Sequence, residues 1–389
     1  MKILHVIPSI DPATGGPVEG LKQLCHVYRS AGHEVEVACL DSPDRAAEFG
    51  FPVQVHGLGP GWGLYGYSPG ALKWFKENIT YFDVVFINCI WQYNTLAAYR
   101  ALIGKSIPYA VFTHGMLDPY FQNRFPLKHI KKLVYWHLFL RRILKDAAAV
   151  LFTSEEERLL ARQSFPGYVV RETVVPYGIF PPKLEGHEAS GEFLSRWPEL
   201  REKRLAVSIG RIHPKKGTDI LIEAFAATMA KDSAWHLVIA GPDQVGIREN
   251  LEALACRLGI SGRITWTGML TGAAKWGALF SAEVFVLPSH QENFGIVVSE
   301  AMFCSLPVIV SNKVNIWREV ENYGAGLICD DTVKETKECL ARWLSLTEAE
   351  TAVMRIRSKK CFDDLFNYDV TAQKALEIVE FVAHVGQHS

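Results

Sequence analysis

Short apolar segments rich in β-branched residues alternate with helical patterns along most of the chain. This alternation is typical of parallel sheets, because each crossover between parallel strands needs a connection that is usually a helix. We therefore predict the α/β fold class. The predicted strands are Lys2–Ile7, Glu34–Leu40, Val53–His56, Asp83–Asn88, Tyr109–Thr113, Ala148–Phe152, Glu172–Val175, Leu205–Ile209, His236–Ala240, Ile264–Thr267, Val284–Leu287 and Pro307–Val310.

A chain of 389 residues is too long for one ordinary core and fits two domains of roughly 150 to 190 residues. The stretch Pro176–Pro198 is rich in proline and glycine and has few periodic apolar positions, which predicts a hinge without a core element. We place an N-terminal domain at 1–180, a C-terminal domain at 181–368, and a final helix at 369–389 that packs back on the first domain. Two doubly wound domains would bind a ligand in a cleft that faces the carboxyl ends of both sheets.

Composition excludes several classes of protein. The 41 basic and 42 acidic side chains give a net charge of −1, so no global field would attract nucleic acid. The longest apolar runs, such as Val284–Pro288, have strand length and fall short of the ~20 residues that cross a bilayer. The first ten residues resemble a buried strand more than a signal peptide. We expect a cytoplasmic protein.

The most informative stretch is SHQENFGIVVSEAM at 289–302, which follows a predicted strand. Gly295 precedes an apolar helical run, so the amides from Phe294 to Val297, which include that of Ile296, would be first-turn donors suited to a phosphate. Glu292 lies before the helix and Glu300 within it. These carboxylates could bind sugar and ribose hydroxyls, or they could be a capping acid and a solvated helix residue.

A second candidate stretch is SIGRIHPKKG at 208–217. A predicted strand ends beside Gly210, and Arg211 and Lys216 flank the turn that opens the next helix. Two cations at the carboxyl edge of a sheet are placed where a diphosphate would need neutralising. The alternative is a pair of solvated surface bases.

The first half offers two weaker candidates. Gly15 and Gly16 follow the first strand, where paired glycines let a ligand approach the backbone, although a plain flexible turn explains them equally well. His114 follows the strand YAVFT and could bind a sugar hydroxyl, or it could be a structural histidine whose ring nitrogens form hydrogen bonds within the protein.

The order of these motifs resembles a known family. GGP, HG after a strand, TSE, VVPYG, SIGR with KKG, AGP, TG and E-x7-E before an apolar helix occur in the order seen in the retaining glycosyltransferases related to sucrose synthase. The resemblance covers nearly the whole chain, and its specificity comes from ordered co-occurrence. It implies the GT-B fold, with two Rossmann-like doubly wound domains facing each other across a cleft.

The resemblance also implies roles for the candidate residues. Arg211 and Lys216 would hold the diphosphate of a nucleotide-sugar donor, assisted by the amides of the Gly295–Val297 turn. Glu300 would bind the ribose, and Glu292 would contact the donor sugar. The same resemblance makes Glu292, His114, Arg211 and Lys216 the catalytic candidates.

The resemblance implies further donor contacts. His114 would meet the sugar from the other domain, and the Gly15/Gly16 loop would border the donor phosphate and the acceptor. Gly241, with Met269 and Leu270, would form the walls around the base. Two positions depart from the family pattern, because Tyr177 stands where an asparagine is usual and Phe180 where an aspartate is expected.

The implied chemistry is transfer of a hexose, with retention at the anomeric carbon, to a hydroxyl of a glycan or lipid-linked acceptor in polysaccharide biosynthesis. UDP is the favoured nucleotide. Because no D-x-D motif occurs, we predict that the fixed cations replace Mg²⁺ and that no metal or other cofactor is needed. The single H-x3-H, His384 and His388, is interpreted as frayed sequence and not as a zinc site.

Residues 124–145 form a local basic segment with seven Lys/Arg and no acid, interleaved with apolar residues that include Phe125. This pattern predicts contact with an anionic membrane surface, which would suit a lipid-linked acceptor. A solvated helix face and an anionic acceptor site remain as alternatives. Nucleic acid is not an expected partner.

Other functions are open to test. Gly61, Gly63 and Gly66 spell G-x-G-x-x-G, but they lie in a long loop where the dinucleotide fingerprint needs a tight strand-to-helix turn, so we reject an oxidoreductase. A nucleotide-sugar epimerase of similar architecture and a non-catalytic nucleotide-sugar sensor remain as the alternatives to a transferase.

Overall fold

The computed structural model describes residues 1–124, 126–180 and 184–387. Phe125, the start of the predicted second domain at 181–183, and His388 therefore lie outside the described residues. The chain forms two compact units, one made of residues 1–178 with the C-terminal segment from Tyr368, and one of residues 179–367. The sequence analysis above predicts the boundaries after residues 180 and 368.

Unit 1 has a seven-stranded parallel sheet with the order β3-β2-β1-β4-β5-β6-β7. The chain moves outward from β1 in one direction and then restarts beside it with β4, which is the doubly wound topology. The strands are β1 Lys2–Ile7, β2 Glu34–Cys39, β3 Gln54–Gly57, β4 Val84–Asn88, β5 Tyr109–Phe112, β6 Ala149–Phe152 and β7 Glu172–Val174.

Helices connect these strands and bury two apolar cores in the same unit. The helices are α1 Gly16–Ser30, α2 Pro43–Glu48, α3 Pro69–Asn78, α4 Tyr93–Leu102, α5 Tyr120–Arg124, α6 Pro126–Tyr135, α7 Arg141–Asp146 and α8 Glu155–Ala161. A single π-helical turn, Trp136–Leu140, joins α6 to α7.

Unit 2 repeats the topology with six parallel strands in the order β10-β9-β8-β11-β12-β13. The strands are β8 Arg204–Ile209, β9 Trp235–Ala240, β10 Ile264–Gly268, β11 Val284–Leu287, β12 Val308–Ser311 and β13 Gly326–Cys329. The helices are α9 Gly186–Arg196, α10 Thr218–Ala227, α11 Arg248–Arg257, α12 Gly272–Phe280, α13 Ile296–Phe303, α14 Trp317–Tyr323, α15 Val333–Ser345 and α16 Glu348–Leu365.

The C-terminal helix, α17 Tyr368–Gln387, belongs to unit 1. It contacts α1, and it contributes Ala375, Val379 and Val382 to one of the cores of that unit. A helix that follows unit 2 in the chain is therefore part of the core of unit 1.

The predicted α/β class with two Rossmann-like parallel sheets is confirmed. Two predictions about elements were wrong. The sequence analysis missed β13, a four-residue edge strand that begins with a glycine. It also treated Pro176–Pro198 as lacking a core element, whereas α9 lies there, buries Ala189 and Phe193, and packs against α12. Two glycines within α9 obscured its period, and tertiary packing outweighs that weak local propensity.

Within the described ranges, no helix combines the length and apolarity needed to cross a membrane.

Candidate functional site

Strand order brings the two most informative sequence motifs together in unit 2. Strands β8 and β11 are neighbours at the point where the sheet reverses its direction of growth, so the loops after them share one edge. The amide of His290 donates to the carbonyl of Lys215 at 2.7 Å. Gly217 has φ +61°, and a Cβ there would lie 2.1 Å from the carbonyl oxygen of Pro288, so only glycine fits this contact.

The central feature of this edge is an ion pair between two predicted site residues. Lys216 Nζ donates to Glu292 Oε2, and both side chains are half-buried. The Lys216 side chain extends past Gly210, where a built Cβ would lie 3.6 Å from the Nζ atom. The cation predicted for a phosphate and the acid predicted for a sugar are therefore adjacent and partly withdrawn from water.

Backbone hydrogen bonds hold Glu292 in place. Its amide donates to the carbonyl of Lys313 at 2.9 Å, and its carbonyl accepts from the amide of Asn315 at 3.0 Å. The segment that follows β12 thus fixes the loop that carries Glu292. Such main-chain support is what a preorganised binding group needs.

Arg211 is exposed, and its Nη1 donates to Gln244 Oε1 at 3.0 Å, in the loop after β9. It lies in the same basic surroundings as Lys216: the pKa of His213 is lowered by burial and then by the charges of Lys215, Arg211 and Lys216. Lys216 is therefore paired and partly buried, whereas Arg211 is exposed and bonded to Gln244.

The turn before α13 has the predicted form. Gly295 has φ +74°, and α13 begins at the next residue, Ile296, without a side-chain cap. The first-turn amides of Ile296 and Val297 therefore carry the positive end of the helix dipole. Phe294 is buried and packs edge-on against Phe366 with ring centroids 5.5 Å apart, so its main chain is the part suited to ligand contact.

Glu300 is buried on α13 and pairs with a residue that the sequence analysis missed. Lys275 Nζ on α12 lies 2.5 Å from Glu300 Oε1, and the same amine lies 4.7 Å from the centroid of the Trp276 ring. The alternative reading of Glu300 as a solvated helix residue was wrong. A lysine in a helix carries no sequence signal of such a partner, because the contact depends on how α12 packs beside α13.

Three strand ends meet at the predicted base-binding edge. The amide of Gly241 donates to the carbonyl of Gly268 at 2.8 Å. A Cβ on Gly241 would lie 1.8 Å from the carbonyl oxygen of Gly210, so the backbones after β8 and β9 touch. Beside this edge Met269 is exposed and Leu270 is buried, so the two predicted wall residues differ in accessibility.

In unit 1, His114 lies on the turn after β5 with φ +48°, a conformation that is uncommon outside glycine. The Nδ2 of Asn88 faces His5 Nδ1 and two backbone carbonyls, which makes Asn88 Oδ1 the acceptor at 3.1 Å for a proton on His114 Nε2. The Nδ1 atom of His114 then accepts from the hydroxyl of Tyr177 at 2.5 Å. Burial lowers the pKa of His114 to about 3, so the ring is neutral.

A buried acid that the sequence analysis missed holds this turn. Glu157 Oε1 accepts from Thr113 Oγ1 and from the amide of Gly115, both at 2.6 Å. Glu157 Oε2 accepts from the amide and the hydroxyl of Thr153, both at 2.7 Å. These four hydrogen bonds satisfy the carboxylate and fix the backbone on either side of His114.

The two glycines after β1 lie at the start of α1. Gly15 has φ +86°, and apart from the chain neighbours and the helix's own backbone no atom lies within 4 Å of a Cβ built on either Gly15 or Gly16. Packing within the protein therefore does not explain a glycine at 16. Open space beside the first turn of a 15-residue helix is compatible with the predicted ligand approach.

Across residues 1–124, 126–180 and 184–387, no group of three or more His, Cys, Asp or Glu side chains is arranged to hold a metal ion.

Comparisons with known proteins identify the family of the chain. The family model described as glycosyl transferases group 1 matches residues 192–360, and the model described as glycosyl transferase 4-like domain matches residues 15–178. The chain belongs to the glycosyltransferase 4-like family, whose members have the GT-B fold. The two models fall on the two units of this GT-B family member.

Two relatives and one solved structure illustrate the match. This GT-B family member is 29% identical over 174 residues to the D-inositol 3-phosphate glycosyltransferase of Rhodococcus opacus, covering 43% of the chain and 39% of that relative. It is 26% identical over 339 residues to the GDP-mannose:cellobiosyl-diphosphopolyprenol alpha-mannosyltransferase of Xanthomonas campestris, covering 84% and 83%. The Anabaena protein Alr3699/HepE, solved with UDP and glucose, superposes with a TM-score of 0.77 at 18% identity, covering 98% and 99%.

Proposed function

We propose that the chain transfers a hexose, with retention, from a nucleotide sugar to a hydroxyl of a glycan or lipid-linked acceptor in polysaccharide biosynthesis. The observation that carries this proposal is the ion pair between Lys216 and Glu292 beside the uncapped start of α13. One group in this pair suits the donor phosphates and the other suits the donor sugar. Both lie at the sheet edge where α/β folds bind ligands.

Each charged group has a separate task in the proposed reaction. Lys216 and the amides of Ile296 and Val297 would stabilise the charge that develops on the leaving diphosphate as its bond to the anomeric carbon breaks. The acceptor oxygen would form its bond to that carbon on the same face and pass its proton to the departing phosphate oxygen. The pairing with Lys216 would keep Glu292 ionised and aimed, so that it could accept hydrogen bonds from sugar hydroxyls.

His114 would contribute as a neutral group. With its pKa lowered to about 3 by burial, it carries no charge at neutral pH, and because both ring nitrogens bond to Asn88 and Tyr177 it would meet the sugar through contact and shape. It would thus position the donor sugar and would not act as a proton carrier. Arg211, which is exposed and bonded to Gln244, would add a second positive charge beside the diphosphate.

The choice of donor and acceptor rests on the relatives. We favour a UDP-hexose such as UDP-glucose as the donor, because the structurally similar HepE was solved with UDP and glucose. The name of the Xanthomonas relative specifies GDP-mannose and a diphosphopolyprenol-linked acceptor, so both nucleotides belong in the assay. We further propose that no divalent metal is required, because fixed cations stand where the donor phosphates would bind.

The test is turnover of UDP- and GDP-hexoses in EDTA, with and without a lipid-linked glycan acceptor. Acceptor-dependent release of nucleotide with a retained anomeric configuration supports the proposal. Interconversion of the donor sugar would indicate an epimerase, and binding without turnover would indicate a sensor. Activity that returns only on adding Mg²⁺ or Mn²⁺ would contradict the metal-independent mechanism.

The matched variants are Lys216→Ala and Arg204→Ala. Both remove a cation from the β8 region, but Arg204 lies at the opposite end of that strand and pairs with Glu283. We expect Lys216→Ala to lower kcat/KM at least about 100-fold, as removal of one transition-state donor does, and Arg204→Ala to leave it nearly unchanged. Equal activity of the two variants would oppose the assigned site.

We also propose that residues 124–145 contact an anionic membrane surface. An acceptor carried on a lipid would be presented at such a surface, and a peripheral contact would bring the acceptor-binding unit to it. The proposed contact is peripheral and needs no membrane-spanning segment.

A further inference from the structure

We propose that the loop Gly61–Tyr67 is a second membrane-contacting element, and that it forms one composite surface with the outward face of α6 and the adjoining π turn. The occupant of this surface would be a bilayer that contains anionic lipid. This inference rests on the proposed lipid-linked acceptor and adds an element that lies outside the basic segment.

The first half of the surface is an exposed apolar stripe. Leu127, Ile130, Val134 and Leu138 are 78%, 57%, 55% and 64% exposed, respectively. Their spacing of three or four residues places them on one side of the helix. An apolar stripe that faces away from the core is typical of helices that lie in a membrane interface.

Positive charge surrounds this stripe. Lys128, Lys131, Arg141 and Lys145 are all exposed, and there is no acidic residue from 124 to 145. The nearest acid in sequence is Asp146, whose Oδ2 lies 3.4 Å from Arg142 Nε. The stripe therefore combines aliphatic side chains with a field that attracts anionic headgroups.

The second half of the surface is the tip of a tight loop, which contains the three glycines of the rejected dinucleotide motif. Trp62 is 71% exposed, and Leu64 is fully exposed. Reciprocal backbone hydrogen bonds between Trp62 and Tyr67, at 2.9 and 3.2 Å, close the loop into a hairpin. The amide of Gly66 donates to the carbonyl of Gly63 at 3.1 Å and makes the turn that presents Leu64.

Tyr65 joins this loop to α6. Its hydroxyl lies 3.2 Å from that of Tyr135, the last residue of α6, and the two rings meet edge-on with centroids 5.8 Å apart. Its carbonyl accepts from the amide of Tyr93 at 2.8 Å at the start of α4. Because Tyr65 points inward, Trp62 and Leu64 are left outside on a loop that is held next to the helix.

Charge and residue type select the bilayer as the occupant. A second copy of the chain would place lysine against arginine across a symmetric contact, which like-charge repulsion disfavours. Tryptophan is favoured at the boundary between hydrocarbon and headgroups, where an aliphatic neighbour can enter the acyl region. The surface has both, beside bases that would bind the headgroups.

The experiment measures binding of the full chain to vesicles of phosphatidylcholine with and without 30 mol% phosphatidylglycerol. The variants are Trp62→Ser/Leu64→Ser, Lys128→Gln/Lys131→Gln, and Ile103→Ser as the control. Ile103 is another exposed apolar residue of unit 1 and follows the far end of α4. We expect each double variant to weaken binding to anionic vesicles at least tenfold and the control to bind like the natural chain.

A second readout locates the loop directly. Lipids brominated on their acyl chains should quench part of the tryptophan emission of the natural chain, and that part should be lost in Trp62→Phe. Unchanged quenching in Trp62→Phe, or anionic-vesicle binding by the loop variant at natural strength, would overturn the inference. So would loss of a dimer in the loop variant on size-exclusion chromatography, because that would assign the surface to self-association.

Turnover on a water-soluble acceptor separates this inference from the proposed function. The loop variant should keep full soluble-acceptor activity, which also shows that it is folded. Loop-dependent vesicle binding without any transferase activity would support the surface and contradict the function. Transferase activity with vesicle binding that does not depend on the loop would support the proposed function and contradict the proposed surface.

Discussion

The hydroxyl of Tyr177 donates to Nδ1 of His114 at 2.5 Å, from a position where the family resemblance leads one to expect an asparagine. The Tyr177 ring also lies against Gly20 on α1, where any Cβ would come within 2.2 Å of it. The departure from the family pattern is therefore a contact with a candidate catalytic residue. In the tautomer that Asn88 fixes, the Tyr177 hydroxyl is the donor to the remaining ring nitrogen, Nδ1.

The first prediction concerns this hydroxyl. Tyr177→Phe keeps the ring but leaves Nδ1 of His114 without its donor, so we expect the free energy of unfolding to fall by about 1 kcal/mol. Because the His114 ring is then held by a hydrogen bond on one side only, from Nε2 to Asn88, we also expect kcat to fall about tenfold. Urea unfolding and steady-state kinetics measure the two effects.

The matched control is Tyr109→Phe, which removes another buried hydroxyl of unit 1, bonded to the carbonyl of Ile143 at 2.6 Å. It should lose similar stability and keep its kcat. If both variants have the same kcat, the Tyr177 hydroxyl has only a structural role.

The second prediction concerns Gly16. Alanine there would meet no atom within 4 Å beyond its chain neighbours and the backbone of its own helix, and it lies in the first helical turn, so the free energy of unfolding should change by less than about 0.5 kcal/mol. If a donor phosphate approaches the backbone, the added methyl should raise the KM for the donor about tenfold. Gly191→Ala, at an equally open glycine in α9, should leave KM unchanged. An unchanged KM in Gly16→Ala would support the plain-turn interpretation.

The third prediction concerns Glu300 and the ribose. Glu300→Gln should lower kcat/KM for a ribonucleotide donor by about 10- to 100-fold, because charge-assisted hydrogen bonds contribute more than neutral ones. The loss of kcat/KM should be smaller with the 2′-deoxy or the 3′-deoxy donor, because one of these donors already lacks the hydroxyl that Glu300 would bind. Glu283→Gln, at the opposite end of the sheet from the site, serves as the control. Equal penalties for all three donors would remove the ribose from this assignment.

The fourth prediction concerns acid stability and His5. His5 is fully buried, stacks on Phe86, and has its pKa lowered to about 3 by burial and by the nearby His114. Below pH 6.5, the ordinary pKa of histidine, the His5 ring binds a proton in the unfolded chain but stays neutral in the folded chain. Stability from the neutral ring is thus complete above pH 6.5 and falls by about 1.4 kcal/mol per pH unit toward pH 3.

Urea unfolding at pH 7.5, 6 and 5 measures this slope, and the difference between variants isolates the histidine from the carboxylates. His5→Gln should reduce the loss of stability between pH 6 and pH 5, while His137→Gln, at an exposed position, should not. A slope for His5→Gln that equals that of the natural chain would contradict the assignment to His5.

Periodicity alone predicted most of the strands and their parallel arrangement, because buried parallel strands must be short and continuously apolar. It failed at the edge strand β13, which begins with a glycine, and at α9, whose glycines interrupt the helical period. In both cases neighbouring elements stabilise a segment whose own pattern is weak.

The sequence by itself determined that this chain forms two Rossmann-like units and that its candidate residues follow strand ends, since both properties depend on local patterns of apolar residues and glycine. Only the tertiary structure decided which side chains meet. Lys216 and Glu292 are 76 positions apart, and they pair because β11 lies beside β8. Lys275 reaches Glu300 across two packed helices in the same way. Strand order and helix packing are set by the whole core, so no local segment encodes these contacts.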